Sequence, residues 1–348
     1  MVTLFAQSVK TYQDSRGLAY PSCFDKQWPI LYNTLAMANV KDTKGHELAQ
    51  RYGVVVWRRL LFALVLLSFC VWLLGCHSEP SPGQTPSAAQ TIENKGSDTM
   101  VNLALAWAEA YMQLHPEVRI SVTGGGSGTG IAAMINGTVD IANASREMKP
   151  EEIEAAKANG INPVEFTVAR DAIAVVVHPS NPVQQLTLQQ ISDIYTGKIT
   201  NWRQVGGENR PIVLLSRESN SGTYVYFLEN VIRLGLKDNN LLFSPDTLLM
   251  PSSEGISCEV RQNPNAIGYD GLGYVTPDQK MIAVASKEGG PYVLPSVETV
   301  NDGTYPIARP LYMYTAGEPR GQIKAYLDWI LSDGQALVSQ LGFVPLKR

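Results

Sequence analysis

Residues 171–179, "DAIAVVVHP", form a nearly unbroken apolar, β-branched run. A strand with one wet face alternates apolar and polar side chains, so a run without alternation belongs to a strand covered on both faces. Shorter strand candidates, "TIEN", "RISVTG", "TVDIANAS" and "PIVLLS", are each followed by a helical pattern. The helix predicted over 99–114 repeats Val101, Leu105, Ala108 and Met112 at helical spacing, and Pro116 stops it. "GIAAMI" closes at Asn136 and Gly137, and "EEIEAAKANG" runs from Pro150 to Gly160. Thr187 and Gln190 form a capping box ahead of "ISDIYTG". Two further helices, "GTYVYFLENVI" and the late "GQIKAYLDWILS", complete the alternation. The fold class is therefore α/β, with parallel or mixed sheets flanked by helices. In such sheets ligands sit beyond the carboxyl ends of strands, where the next helix begins.

The first ninety residues follow different rules. Arg58 and Arg59 precede an uncharged apolar run, "LLFALVLLSFCVWLLG", that ends at Cys76. A basic start, a run of this length and a small residue before the cysteine read as a secretory signal over 54–76. The run is short for a membrane span, which needs about 20 apolar residues. "LLGC" resembles a bacterial lipobox, which implies cleavage before Cys76 and lipid on its sulfur; Leu74 is bulkier than the pattern prefers. Residues 1–53 are an N-terminal extension in an awkward place, since signal peptides begin with their basic end. Residues 77–90, "HSEPSPGQTPSAAQ", lack a core-forming pattern and read as a flexible tether. The body is thereby expected outside the cytoplasm, held at a membrane.

Charge narrows the function. Residues 1–75 hold eight Lys/Arg against four Asp/Glu, and the whole chain has a net charge of −4, so the remainder carries −8. No basic stripe for nucleic acid is present. No Cys/His spacing suggests zinc; neither a metal nor a cofactor is expected.

Three strand-to-helix turns share one chemistry. The first is Gly96-Ser97-Asp98-Thr99-Met100, the second Gly126-Ser127-Gly128-Thr129-Gly130, and the third Ser221-Gly222-Thr223. Each offers backbone N–H groups at a helix N-terminus and a hydroxyl. The helix dipole adds roughly half a positive charge there, which suits a tetrahedral oxyanion. Any one of these turns taken singly is an ordinary N-cap; Ser-Gly-Thr occurring twice, beside a third hydroxyl-bearing turn, is a stronger signal. The glycine loop lacks the lysine of a phosphate-binding P-loop, and Thr129 stands where a nucleophile elbow needs glycine. His115 and His178, the histidines after the tether, each precede proline. Acyl transfer is therefore not expected, and the chain reads as a binder rather than an enzyme. Arg146 and Arg217 follow strand ends near these turns, and guanidinium forks match oxyanions bidentately. Surface pairs, Arg146 with Glu147 or Glu151 and Arg217 with Glu218, are the alternative.

"GSDTM", "VTGGGSGTGI", "DIANASRE", "DAIAVVVHPSNPV", "LTLQQISDIYTGKITNWRQVGG", "SRESNSGTYVYF" and "NPNAIGYDGLGYV" occur in this order. Together they resemble the phosphate-binding proteins of bacterial ABC phosphate importers, over about 91–348. The resemblance implies a two-lobed periplasmic-binding-protein fold (type II) with the ligand in the cleft. One lobe would span 91–170 and 268–348 and the other 171–267, with two crossover strands as the hinge. It implies a monomeric receptor that delivers inorganic phosphate to a permease. By position, Thr99 and the Met100 amide match the first phosphate-contacting turn and Ser127 the second. Arg217, Ser221, Gly222 and Thr223 match the third; Ser97, Asp98 and Gly128 complete the candidate set. One departure matters. Well-known members carry an aspartate where Arg146 stands, and that aspartate accepts the proton by which phosphate differs from sulfate. Arginine only donates. Discrimination then falls to another acceptor, for which Asp98 is the candidate, although Asp98 serves equally as a cap. Sulfate, molybdate or tungstate binding, and surface phosphate sensing without transport, remain open alternatives on the same fold.

Overall fold

The computed structural model describes residues 90–347. The extension 1–53, the signal over 54–76 with Cys76, and all of the tether but Gln90 lie outside the described residues. β1 (Gln90–Gly96) leads through a 3-10 turn, Asp98–Met100, into α1 (Val101–Leu114). β2 (Val118–Thr123), α2 (Ser127–Ile135), β3 (Ile141–Ala144) and α3 (Pro150–Ala158) follow. The long β4 (Val164–Val177) precedes β5 (Gln185–Thr187), α4 (Leu188–Tyr195), β6 (Val213–Arg217) and α5 (Gly222–Phe227). Next come β7 (Leu248–Met250), α6 (Ser253–Gln262), β8 (Ala266–Gly271), β9 (Lys280–Met281), β10 (Ala283–Ala285) and α7 (Val297–Asn301). β11 (Ala308–Thr315), α8 (Gly321–Leu331) and α9 (Gln335–Gln340) complete the order.

The strands run in the spatial order β2-β1-β3-β11-β4-β8-β6-β7. β1, β2 and β3 are parallel, as are β6, β7 and β8; β11 is antiparallel to both β3 and β4. The sheets are mixed, as the strand–helix alternation requires. β4 is shared: its residues 164–172 pair with β11, and residues 173–177 pair with β8. Every residue from Asp171 to Val177 is buried, which explains the missing alternation in "DAIAVVV".

Two main apolar clusters flank this strand. One gathers Ile92, Leu103, Trp107, Ile120, Val168, Leu311, Tyr326 and Phe343 around β1, β2 and β11. The other gathers Ile173, Ile191, Tyr195, Trp202, Phe227, Ile267 and Tyr269. Ile282, Val284, Val300, Tyr305 and Ile307 also pack in this second cluster, although the sequence division at 268 groups them with the first lobe. Trp202 is fully buried and its indole N–H donates to Asn265 O at 3.0 Å, so the "NWRQVGG" stretch anchors the core rather than a ligand.

Local signals act where the sequence puts them. Gly137 and Gly160 take positive φ just past α2 and α3. One helix differs: "GTYVYFLENVI" is α-helical only to Phe227, then widens into a π turn over Leu228–Ile232 that seats Val231 and Ile232 in the core. At α4 the capping box forms, with Thr187 Oγ1 accepting from Gln190 N at 3.1 Å and Gln190 Oε1 from Thr187 N at 2.9 Å. Thr187→Ala should cost about 1 kcal/mol and lower the thermal midpoint by roughly 2–4 °C. An unchanged melting curve would mean that packing alone holds this helix.

Candidate functional site

The first turn is built on a close backbone crossing. At Gly96, φ is +148° and a Cβ would stand 2.1 Å from Asn143 O. Only glycine lets β1 pass β3 there and deliver the next residues to the sheet edge. Ser97 Oγ then donates to Ser145 Oγ at 2.9 Å, and Thr99 and Met100 are buried at the start of α1. Asp98 does not simply cap: its Oδ1 accepts from Gly125 N at 2.9 Å, tying the first turn to the second. In the second turn, Ser127 is fully buried and its Oγ accepts from Ser145 N at 3.0 Å. In the third, Ser221 Oγ accepts from Thr223 N at 3.2 Å, so this hydroxyl serves as the N-cap of α5.

The three turns, separated by up to about 120 residues of sequence, meet. Thr99 Oγ1 and Thr223 Oγ1 lie 2.7 Å apart. Gly128 N donates to Asn220 O at 3.0 Å, and Asn220 Nδ2 to Gly125 O at 2.9 Å. A Cβ on Gly222 would stand 2.4 Å from Ser127 Oγ and 2.5 Å from Ser145 Oγ. Arg217, fully buried, donates from Nη2 to Asp98 Oδ2 at 2.8 Å, and not to Glu218. Its Nη1 donates to Ser253 Oγ at 3.0 Å, its Nη2 also to Pro251 O at 3.0 Å, and its Nε to Met250 O at 3.3 Å. Five N–H bonds are available and four are engaged, leaving one Nη1 donor for an incoming oxygen.

A second buried guanidinium, unforeseen from sequence, lies beside the threonines. Arg309 on β11 sits opposite Asp171 on β4 in the strand pairing, with Nη2 to Oδ2 at 3.0 Å and Nε to Oδ2 at 3.3 Å. Its Nη2 also reaches Thr223 Oγ1 at 2.9 Å and Thr99 Oγ1 at 3.3 Å, and its Nη1 donates to Ser145 O at 2.9 Å. The available signal was a charge inside the apolar strand "IARPLYMYT", since a buried charge demands a partner. Burial pushes the Asp171 carboxyl up, and Arg309 draws it back only in part.

Residues 81–334 match the model of the PBP superfamily domain. Phosphate-binding protein PstS of Pseudomonas aeruginosa is 34% identical over 285 residues, which cover 77% of this chain and 86% of the relative. The chain belongs to the PstS family of phosphate-binding proteins. Protein SphX of Synechococcus elongatus is 33% identical, over 76% of this chain and 80% of the relative. Among solved structures, a putative phosphate ABC transporter substrate-binding protein from Clostridium perfringens, with bound phosphate, has a TM-score of 0.66 at 34% identity. That likeness covers 74% of this chain and all of the other.

Within this PstS-family frame, Arg146 has a defined setting. Its Nη1 and Nη2 each donate to the Glu152 carboxylate at 2.7 Å, and Nη1 also to Glu147 O at 2.8 Å. The pair chosen is Glu152, the N3 residue of α3, and not Glu147 or Glu151. Burial works to raise the Glu152 carboxyl, but the Arg146 bonds and the Lys149 N–H outweigh it and hold it below its usual range. Arg146 still flanks the second turn, with Nη2 3.7 Å from where a Gly128 Cβ would be, and its buried Nε has no partner among the described residues.

Behind Arg217 lies Asp270, fully buried on β8, with Oδ1 accepting from Gly271 N at 2.9 Å. Burial pushes its carboxyl up to about 7, against the pull of Arg217. Between the ordinary carboxylate range and pH 7 the unfolded chain has lost this proton while the folded protein keeps it. The folded state then binds more protons, so stability falls as pH rises through that window. Asp270→Asn should flatten this slope in denaturant titrations between pH 4.5 and pH 7.5, and an unaltered slope would place the effect elsewhere.

Proposed function

We infer that this protein is a high-affinity receptor for inorganic phosphate outside the cytoplasm, and that it passes its ligand to an ABC-type permease. The observation that carries this reading is the convergence of three hydroxyl-bearing turns and the buried Arg217 in a chain of the PstS family. Ser127 and the Thr99–Thr223 hydroxyl pair supply neutral donors, and the remaining Nη1 hydrogen of Arg217 supplies a charged one. The Met100 N–H, matched to the first turn by sequence, is instead spent on Ser97 O at 3.0 Å. Ser97 and Ser221 orient their neighbours through the bonds described, and Gly128 and Gly222 allow the turns to approach. Asp98 keeps lone pairs beyond those used by Gly125 and Arg217, so it accepts the proton of a phosphate where Arg146 cannot. The lobes are drawn at 91–170 with 268–348 and at 171–267, with β4 as one crossover strand and Ile282, Val284, Val300, Tyr305 and Ile307 packing on the second lobe's core. The body is monomeric and tethered through lipid on Cys76. It holds and releases its ligand without covalent change, as befits a family of binding proteins.

Calorimetry on the ligand-stripped full-length protein tests this. Micromolar or tighter phosphate binding, undisturbed by excess sulfate or molybdate, is the expected result. A preference for sulfate or molybdate would keep the fold but change the ligand, and no oxyanion binding would defeat the reading. Thr223→Ala or Ser127→Ala should each weaken phosphate by about 1.5–3 kcal/mol, the worth of a bond to a charged partner; wild-type affinity in both would put the ligand elsewhere. Asp98→Asn should chiefly let sulfate compete.

A further inference from the structure

Thr99 and Thr223 come from different turns, yet their hydroxyls touch each other and the same guanidinium nitrogen, Arg309 Nη2. Arg309 is itself held from several sides: it is 1% exposed, paired with Asp171, bonded to Ser145 O and placed 5.7 Å from the Tyr226 ring centroid. The Tyr226 hydroxyl in turn donates to Ala308 O at 2.8 Å, one residue before Arg309.

The hydrogens in this cluster can be counted. A hydroxyl has one hydrogen and two lone pairs, while a guanidinium has no lone pair to offer. Arg309 Nη2 has two hydrogens. One goes to Asp171 Oδ2 at 3.0 Å, and the other lies between the threonine oxygens, 2.9 Å from Thr223 and 3.3 Å from Thr99, so that this shared hydrogen occupies one lone pair on each. The contact between the two hydroxyls uses the hydrogen of one and the second lone pair of the other. One threonine is left with a free O–H and nothing else; the other is left with a free lone pair and nothing else. The geometry points to Arg309 as a specificity-determining residue that fixes the Thr99–Thr223 pair as one donor and one acceptor toward the bound anion.

This rests on the phosphate reading and deepens it. Dihydrogen and monohydrogen phosphate both carry a proton that the free lone pair can accept; sulfate carries none and meets that lone pair with an oxygen. Without Arg309 both hydroxyls turn to donate, and the distinction weakens. Asp98 lies on the other arginine; dihydrogen phosphate has a proton for each of the two acceptors, whereas monohydrogen phosphate has one, which they share.

The test compares phosphate and sulfate affinities in the full-length protein and in Arg309→Lys and Arg309→Gln, with circular dichroism as the check on folding. Phosphate binding by the unaltered protein is measured first, and its absence would sink the phosphate reading itself. Given that binding, the inference expects the phosphate-to-sulfate preference to fall tenfold or more in both variants. A preference that stays constant, whether or not phosphate affinity drops, would make Arg309 a structural support only and overturn the inference. If both variants fail to fold, Thr223→Val decides: it keeps the side-chain shape, removes the hydroxyl pair and should erode the preference by a similar factor. An undiminished preference there overturns the inference equally.

Discussion

Arg217→Met is expected to weaken phosphate binding by between about a hundredfold and several thousandfold, the equivalent of about 3–5 kcal/mol for breaking a buried pair from one side. The side chain is 1% exposed and its partner Asp98 is 16% exposed. Removing the guanidinium costs the ligand its charged donor and leaves the Asp98 carboxylate unpaired and repelling the incoming anion. Arg217→Lys should recover little. A single ammonium cannot reach Asp98, Ser253, Pro251 and Met250 together as the planar fork does. Phosphate titrations within tenfold of the parent for Arg217→Met would show that this arginine serves the fold and not the anion.

Gly222→Ala comes second in size and acts by volume alone. The added methyl would stand 2.4 Å from Ser127 Oγ and 2.5 Å from Ser145 Oγ. Neither oxygen can easily retreat, because Ser127 Oγ is held by Ser145 N and Ser145 Oγ by Ser97. The third turn must then stand off from the second, and phosphate affinity should fall roughly 10- to 100-fold, the equivalent of ordinary overpacking. Gly317→Ala is the matched control, since nothing lies within 4 Å of its added carbon. If both variants bind phosphate equally, the contact between the turns is not needed for binding.

Much of this arrangement is legible locally. The buried run of β4, the capping box at Thr187 and the glycines after α2 and α3 each act within a few residues, where backbone preference and periodicity have their say. The three hydroxyl turns were visible for the same reason. What stays hidden is pairing at a distance. Arg309 and Asp171 are 138 residues apart, and each looks like a stray charge until β11 returns antiparallel to β4. Asp98 and Arg217 are 119 residues apart, and no periodicity links them. Arg146 chose Glu152 over nearer carboxylates because Glu152 is the residue that caps α3, a role set by the turn and not by proximity. The π turn over Leu228–Ile232 leaves no local mark because its apolar residues keep a nearly helical rhythm.

The position of β11 has a consequence for how such a chain is made. It enters the sheet between β3 and β4, both completed by Val177, but its own residues are Ala308–Thr315. The sheet edge that carries the first two turns has a gap in its middle until nearly the whole polypeptide exists. Contacts this remote in sequence form late, after the intervening chain has been closed into a loop. A precursor threaded through a translocation channel from its N-terminus would have no complete sheet to jam the passage. Completion of this sheet is thereby deferred until β11 has been made.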